Sequence, residues 1–165
     1  MDAEVASRAT LAAAGATVVI HLVAHSKTGL RAPSVHLISQ LRATLGDRLI
    51  VLVDAAQGRV SPRDVRHALD LGCIALFTGS KFYSGPPFSG ALLLPTELAN
   101  DPGPLPAGLS GWFSKADLPA DWTEARASLP AHANPGLILR WETACLLYTS
   151  PSPRDATLSR MPSSA

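Results

Sequence analysis

The chain has 165 residues, 47% hydrophobic and 16% charged, with a formal net charge of +1. That is one domain's length with enough apolar content for a core, and the charge balance lacks the basic excess of a nucleic-acid binder. No apolar run reaches membrane-spanning length, so neither nucleic acid nor membrane is an expected partner.

Two cysteines give no disulfide framework, and five histidines without HxH or HxxxH spacing give no metal-ligand set. The acidic opening Met1-Asp2-Ala3-Glu4 is unlike the basic start of a secretory leader, which makes the cytoplasm the expected location.

In chain order, Glu4–Ala14 is rich in helix formers and closes on Gly15. The β-branched run TVVIHLVA (17–24) predicts a buried strand. After the Gly- and Pro-containing loop HSKTGLRAP, SVHLISQLRATLG places Val35, Ile38, Leu41 and Leu45 on one helical face with Gly46 as the exit. RLIVLVDA (48–55) predicts a second strand. SPRDVRHALDLG then carries a full helix start, with Ser61 as N-cap, Pro62 at the first helical position, Asp64 three residues past the cap, and Gly72 after the end. CIALFTG (73–79) and GALLLP (90–95) predict strands three and four.

The first three strands, separated by such helices, are most simply parallel, whereas the short loop before strand four makes it antiparallel or places it at a reversal of the sheet. The expected fold class is α/β, a mostly parallel sheet flanked by helices, over residues 1–99. Residues 100–144 read as a Pro/Gly-rich connection ending in a helix that starts at NPGLILRWETA.

Cys145–Ala165 breaks the pattern with Ser/Pro-rich text. It resembles a translated transposase-type sequencing adapter, in two words that match in order (Cys145–Asp155 and Ser159–Ala165), and the alternative reading is a disordered tail. Without it the basic and acidic residues balance, and Cys73 is left alone.

In parallel α/β sheets, ligands collect at the carboxyl ends of the strands. Those ends carry Ser26 and Lys27, then Asp54 and Gln57, then Thr78, Ser80 and Lys81. A carboxylate ending the apolar run LIVLVD is expected to be partly desolvated and to need a cationic partner, for which a protonated pyridine nitrogen is suited. An amine held in a largely dry site becomes nucleophilic as its pKa falls, which is the expectation for Lys81. Thr78, Ser80 and the Gly79 amide are expected phosphate donors. Lys27 and Lys115 read as solvated loop lysines, His21 and His25 as satisfied structural histidines, and Trp112, Trp122 and Trp141 as packing residues.

The segment VLVDAAQGRVSPRDVRHALDLGCIALFTGSKFYSGPPFSGALLLP resembles the central cofactor segment of the class V aminotransferases, which use pyridoxal 5'-phosphate. The match rests on Asp54-Ala55-Ala56-Gln57 followed, a helix and a strand later, by Thr78-Gly79-Ser80-Lys81. With SKTGLRAPS upstream it covers residues 17–95.

The resemblance implies that Lys81 forms the Schiff base and moves the proton at the substrate Cα. Asp54 would keep the pyridine nitrogen protonated and Gln57 would bond the phenolic oxygen. Thr78 and Ser80 would contact the phosphate, with Ser26 near the cofactor or the amino-acid substrate. Ser80 stands where desulfurase-like members carry His, and no desulfurase cysteine follows, so that activity is not implied.

The family's phosphate-binding helix start, ring-stacking aromatic and small C-terminal domain with its carboxylate-binding Arg have no counterpart here. The chain is therefore expected to be an inactive internal fragment of the large cofactor-binding domain of a homodimeric parent. The competing expectation is a non-catalytic α/β binding or interaction domain, with Asp54 and Lys81 as a structural ion pair. A dinucleotide-binding domain ranks last, because no G-x-G-x-x-G follows a strand.

Overall fold

The computed structural model describes residues 1–149. Four strands, β1 (Val18–Val23), β2 (Leu49–Asp54), β3 (Ile74–Thr78) and β4 (Gly90–Leu93), form one sheet in the order β1-β2-β3-β4. The first three are parallel and β4 returns antiparallel to β3. This is the mixed arrangement the connection lengths require: helices between the first three strands, a loop before the fourth.

Helices α1 (Asp2–Ala12), α2 (Val35–Leu45) and α3 (Pro62–Asp70) precede β1, β2 and β3 respectively. Strand alternation explains where they sit. Val18, Ile20 and Leu22 share a face with Leu49, Val51 and Ala75, and these join Ala9, Ala13, Leu37, Ile38, Leu41, Leu45 and Cys73 in a buried layer. All three helices therefore gather on one face, where helices flanking the sheet were expected. The opposite face carries Val19, His21, Leu52, Asp54, Ile74, Leu76, Thr78 and Leu92, with Val19 56% and Leu92 59% exposed.

The apolar stripe of α2 differs from expectation at its start. Leu37 is buried and Val35 is 53% exposed, so the stripe is Leu37, Ile38, Leu41 and Leu45. The first turn of α2 overhangs a hollow of about 370 Å³ between α2 and α3, into which Val35 faces.

The start of α3 is as predicted. Ser61 Oγ accepts from the Asp64 amide at 3.1 Å and the Asp64 carboxylate accepts from the Ser61 amide at 3.1 Å. Hydrogen bonds from the Ser61 hydroxyl and amide hold the Asp64 carboxyl below its ordinary value of 3.8. A carboxylate whose pKa is depressed on folding contributes stability above its unfolded pKa and loses it as pH falls through the folded one. Melting midpoints measured from about pH 5 down to about pH 2 should therefore drop for the native chain and drop less steeply for Ser61→Ala, which starts lower at neutral pH.

Residues 94–134 hold three short 3-10 turns and α4 (Thr123–Ala127), a helix the Pro/Gly-rich composition concealed. Asp101 ties this region together by accepting from the amides of Gly103, Glu124 and Ala125 at 2.7–3.1 Å. Partial burial raises its pKa, and the three amides outweigh that and lower it overall. Of the tryptophans, Trp122 donates to the Ala99 carbonyl and Trp141 to the Gly90 carbonyl, but Trp112 is 82% exposed and packs little.

Helix α5 (Pro135–Thr149) starts where predicted, with the Asn134 side chain accepting from the Leu137 amide, and it continues through Cys145–Thr149. Cys-Leu-Leu-Tyr offers no helix breaker, so the change of sequence character at Cys145 is not a structural boundary. The remainder of that tail lies outside the described residues. Among the described residues no helix is long and apolar enough to cross a membrane, and no group of three potential metal ligands occurs.

Cys73 is 4% exposed and burial pushes its thiol pKa up, with Arg42 opposing, whereas Cys145 is exposed. A thiol-specific disulfide reagent should thus titrate one cysteine in the folded chain and the second only after denaturation.

Candidate functional site

Three loops at the carboxyl edge of the parallel strands close around a cleft of about 310 Å³ lined by Lys27, Gln57, Arg59, Lys81 and Phe82. The volume falls within the range of small-molecule sites. Lys27 follows β1, Gln57 and Arg59 follow β2, and Lys81 follows β3, so parallel pairing alone brings them to one edge.

The second and third loops touch because position 58 has no side chain. Gly58 has φ +65, and a Cβ there would lie 2.6 Å from Cβ of Phe82. Only glycine permits both the left-handed turn and this approach, which sets Arg59 beside the residue next to Lys81.

The three cations of the cleft form no ion pair among the described residues; the pairs present are Arg8 with Glu4 and His21 with Asp54. Lys81 is exposed, which corrects the expectation of a dry site. Its loop leaves the sheet edge outward, and Phe82 beside it is 47% exposed.

Asp54 ends β2 half-buried, as expected of a carboxylate finishing an apolar strand. Its partners are not Lys81: Oδ1 accepts from the Ala56 amide at 2.9 Å and Oδ2 lies 3.4 Å from His21 Nε2. Alternation places both residues on the uncovered face, and register puts Val23 opposite Asp54. His21, read as structural, thus stands beside Asp54 where a cationic ligand was expected. The structural Asp54–Lys81 ion pair of the competing expectation does not form.

Thr78 and Ser80 stand directly before Lys81 with their hydroxyls 2.8 Å apart, and Thr78 Oγ1 accepts from the Ser80 amide at 3.2 Å. The Gly79 amide donates to the Ser89 carbonyl at 2.8 Å, so it is committed to the loop and not free for a phosphate. Ser26 is used locally as well: its Oγ accepts from the Leu30 amide at 2.9 Å and pairs with Thr28 Oγ1 at 3.0 Å, closing the loop that carries Lys27.

Of the expected site residues, the structure therefore brings Lys81 and Gln57 into one cleft. Thr78 and Ser80 adjoin it in sequence, Asp54 lies at the same sheet edge facing His21, and Ser26 supports a loop. Lys27, read as a solvated loop lysine, is exposed on its loop and also lines the cleft, and Arg59 was missed. His25, read as satisfied, has a buried Nδ1 without a partner among the described residues.

The loop after Lys81 is strained, with Ser84 at φ 53 and Phe88 at φ 65. Non-glycine residues in this region cost on the order of 1–3 kcal/mol each and cluster at functional sites.

No family model, no curated protein and no solved structure matches this chain.

Proposed function

We propose that this chain carries the cofactor-anchoring part of a pyridoxal-phosphate-dependent enzyme of the class V aminotransferase type, acting on an amino-acid substrate through Lys81. The observation that carries this reading is the cleft itself, in which a lysine amine, an amide side chain and two further cations, none of the three cations in an ion pair among the described residues, converge at the carboxyl edge of a parallel sheet. A flat, doubly anionic aldehyde suits such a donor set. Pyridoxal phosphate, when bound, supplies the carbonyl that condenses with an amine and the ring that takes up electrons.

The chain's own residues divide the remaining work. Lys81 Nζ is the covalent anchor and the group that removes and returns the proton at the substrate Cα. Gln57 offers its amide to the ring oxygen. The Thr78 and Ser80 hydroxyls, 2.8 Å apart, would supply donors to the phosphate. Asp54, whose carboxylate contacts His21 and the Ala56 amide, would hold the ring nitrogen protonated.

The uncovered sheet face, with Val19 and Leu92 more than half exposed, supports reading this chain as the inner part of a larger enzyme. On that reading turnover needs the missing segments, including a homodimer partner, whereas cofactor capture does not.

A second reading, a non-catalytic α/β binding domain, is favoured by the local hydrogen bonds that occupy Asp54 and Ser26. Borohydride reduction with pyridoxal phosphate, followed by peptide mapping, separates the two. A label confined to Lys81 supports the enzyme; labels scattered over surface amines, or none, support the binding domain.

A further inference from the structure

We infer that the hollow between α2 and α3, on the sheet face opposite His21 and Asp54, binds a free straight-chain aliphatic carboxylate of medium length, with Arg31 at its mouth. The inference is independent of the proposed function and uses none of the side chains assigned there.

The hollow exists because the residues that meet there are small. Ala24 and Ala55 continue β1 and β2 by one residue, their amides donating to the Asp54 and Leu76 carbonyls at 3.0 Å, and Ala75 of β3 lies opposite Val53. Ala68 of α3 lines the same space. Four methyl groups where helices rest on a sheet leave about 370 Å³, which falls within the range of small-molecule sites. Interiors hold few voids larger than a water molecule, so a space of this size is not ordinary packing.

The walls are aliphatic and only partly covered. Val35, in the first turn of α2, and Leu71, at the end of α3, line the hollow while 53% and 41% exposed. A hydrocarbon chain laid between them removes both from water. The same walls argue against an extended polypeptide: their backbone groups are spent within α2, α3 and the parallel ladder, so a peptide placed there would bury its own unpaired.

Charge selects the head group. The polar side chains of the lining are Arg31, Ser34, Asp64 and His67. Ser34 accepts from the Leu37 amide at 3.2 Å, and the Asp64 carboxylate accepts from the Ser61 amide and hydroxyl at 3.1 and 2.8 Å, so both are occupied as helix caps. The Arg31 charge helps to hold the Asp64 carboxyl low, but Arg31 is exposed and forms no ion pair among the described residues. A guanidinium at the edge of an apolar space favours an anion that stays in water while its chain is buried, and a carboxylate meets the guanidinium fork with two hydrogen bonds.

The test uses the full chain without cofactor. Butyrate, hexanoate, octanoate and 1-octanol are titrated in, with backbone amide chemical shifts as the readout. Affinity should rise about tenfold for each two methylenes added, with shifts centred on Val35, Ile38, Val65, Ala68 and Leu71. Octanoate should bind about tenfold tighter than 1-octanol, and Arg31→Gln should erase that preference while leaving 1-octanol unchanged. Val35→Phe, which fills the hollow from an exposed position, should weaken both ligands by about tenfold or more.

No binding of octanoate overturns the inference, as do shifts centred on Val19 and Leu92, because the alkyl chain then coats the uncovered sheet face. Equal affinity for octanoate and 1-octanol, or a preference that survives Arg31→Gln, overturns the assignment of the carboxylate to Arg31. Dimerisation that Val35→Phe removes, with no response to octanoate, overturns it in favour of a second copy of the chain.

Discussion

Lys81→Ala should abolish covalent attachment of pyridoxal phosphate, removing the visible band and the borohydride-fixed label together. Lys115→Ala should change neither. The expected effect is total because Lys81 is the amine preceded by Thr78 and Ser80, whereas Lys27, the other lysine of the cleft, is carried by a separate loop after β1.

In a completed enzyme the same substitution should slow proton transfer at the substrate Cα by about 10²–10⁴-fold, the range for a positioned acid–base group. Absorbance spectroscopy and mass mapping read the first effect directly. A variant that keeps its label at an unchanged yield would remove Lys81 from the chemistry.

The same residues show what a linear reading captures. Pairing sense and the capping box of α3 follow from short-range rules, and Ser61, Pro62 and Asp64 occupy the positions their types specify. The gathering of Lys81 with Gln57 also follows, since parallel strands deliver their carboxyl ends to one edge.

What escaped were features decided by neighbours distant in sequence. Arg59 enters the cleft because Gly58 lets Phe82 approach, a contact between loops that no local pattern encodes. Asp54 meets His21 because β1 pairs with β2 in a particular register, so that two side chains from separate strands share the uncovered face. The Gly79 amide is lost as a donor because β4 returns beside β3 and presents the Ser89 carbonyl. Likewise α4 is stabilised from outside, by Asp101, and its own five residues carry no strong helical period.

Gly85→Ala should destabilise the chain by about 1–3 kcal/mol, the usual cost of overpacking, and disturb the lysine loop at the same time. A Cβ at this position would sit 2.5 Å from Cβ of Ala144, 2.8 Å from the Gly79 carbonyl oxygen and 3.0 Å from Cα of Ala144. None of these atoms is the end of a flexible side chain, so relief requires moving either α5 or the loop.

The Gly85 amide donates to the Gly79 carbonyl at 2.9 Å, closing the turn that contains Lys81. Movement of the loop therefore shifts the amine, and labelling of Lys81 should fall along with stability. Ala144→Gly alone should cost about 1 kcal/mol through helix propensity. Combined with Gly85→Ala it removes the closest clash, so the double variant should be more stable than the sum of the single losses predicts, by about 0.5 kcal/mol or more. Recovery stays incomplete because the contacts with the Gly79 carbonyl and Ala144 Cα persist.

Urea midpoints at constant slope measure all three variants. Strictly additive losses would mean that α5 does not rest on the lysine loop through Ala144, and the placement of that helix against the site would have to be abandoned.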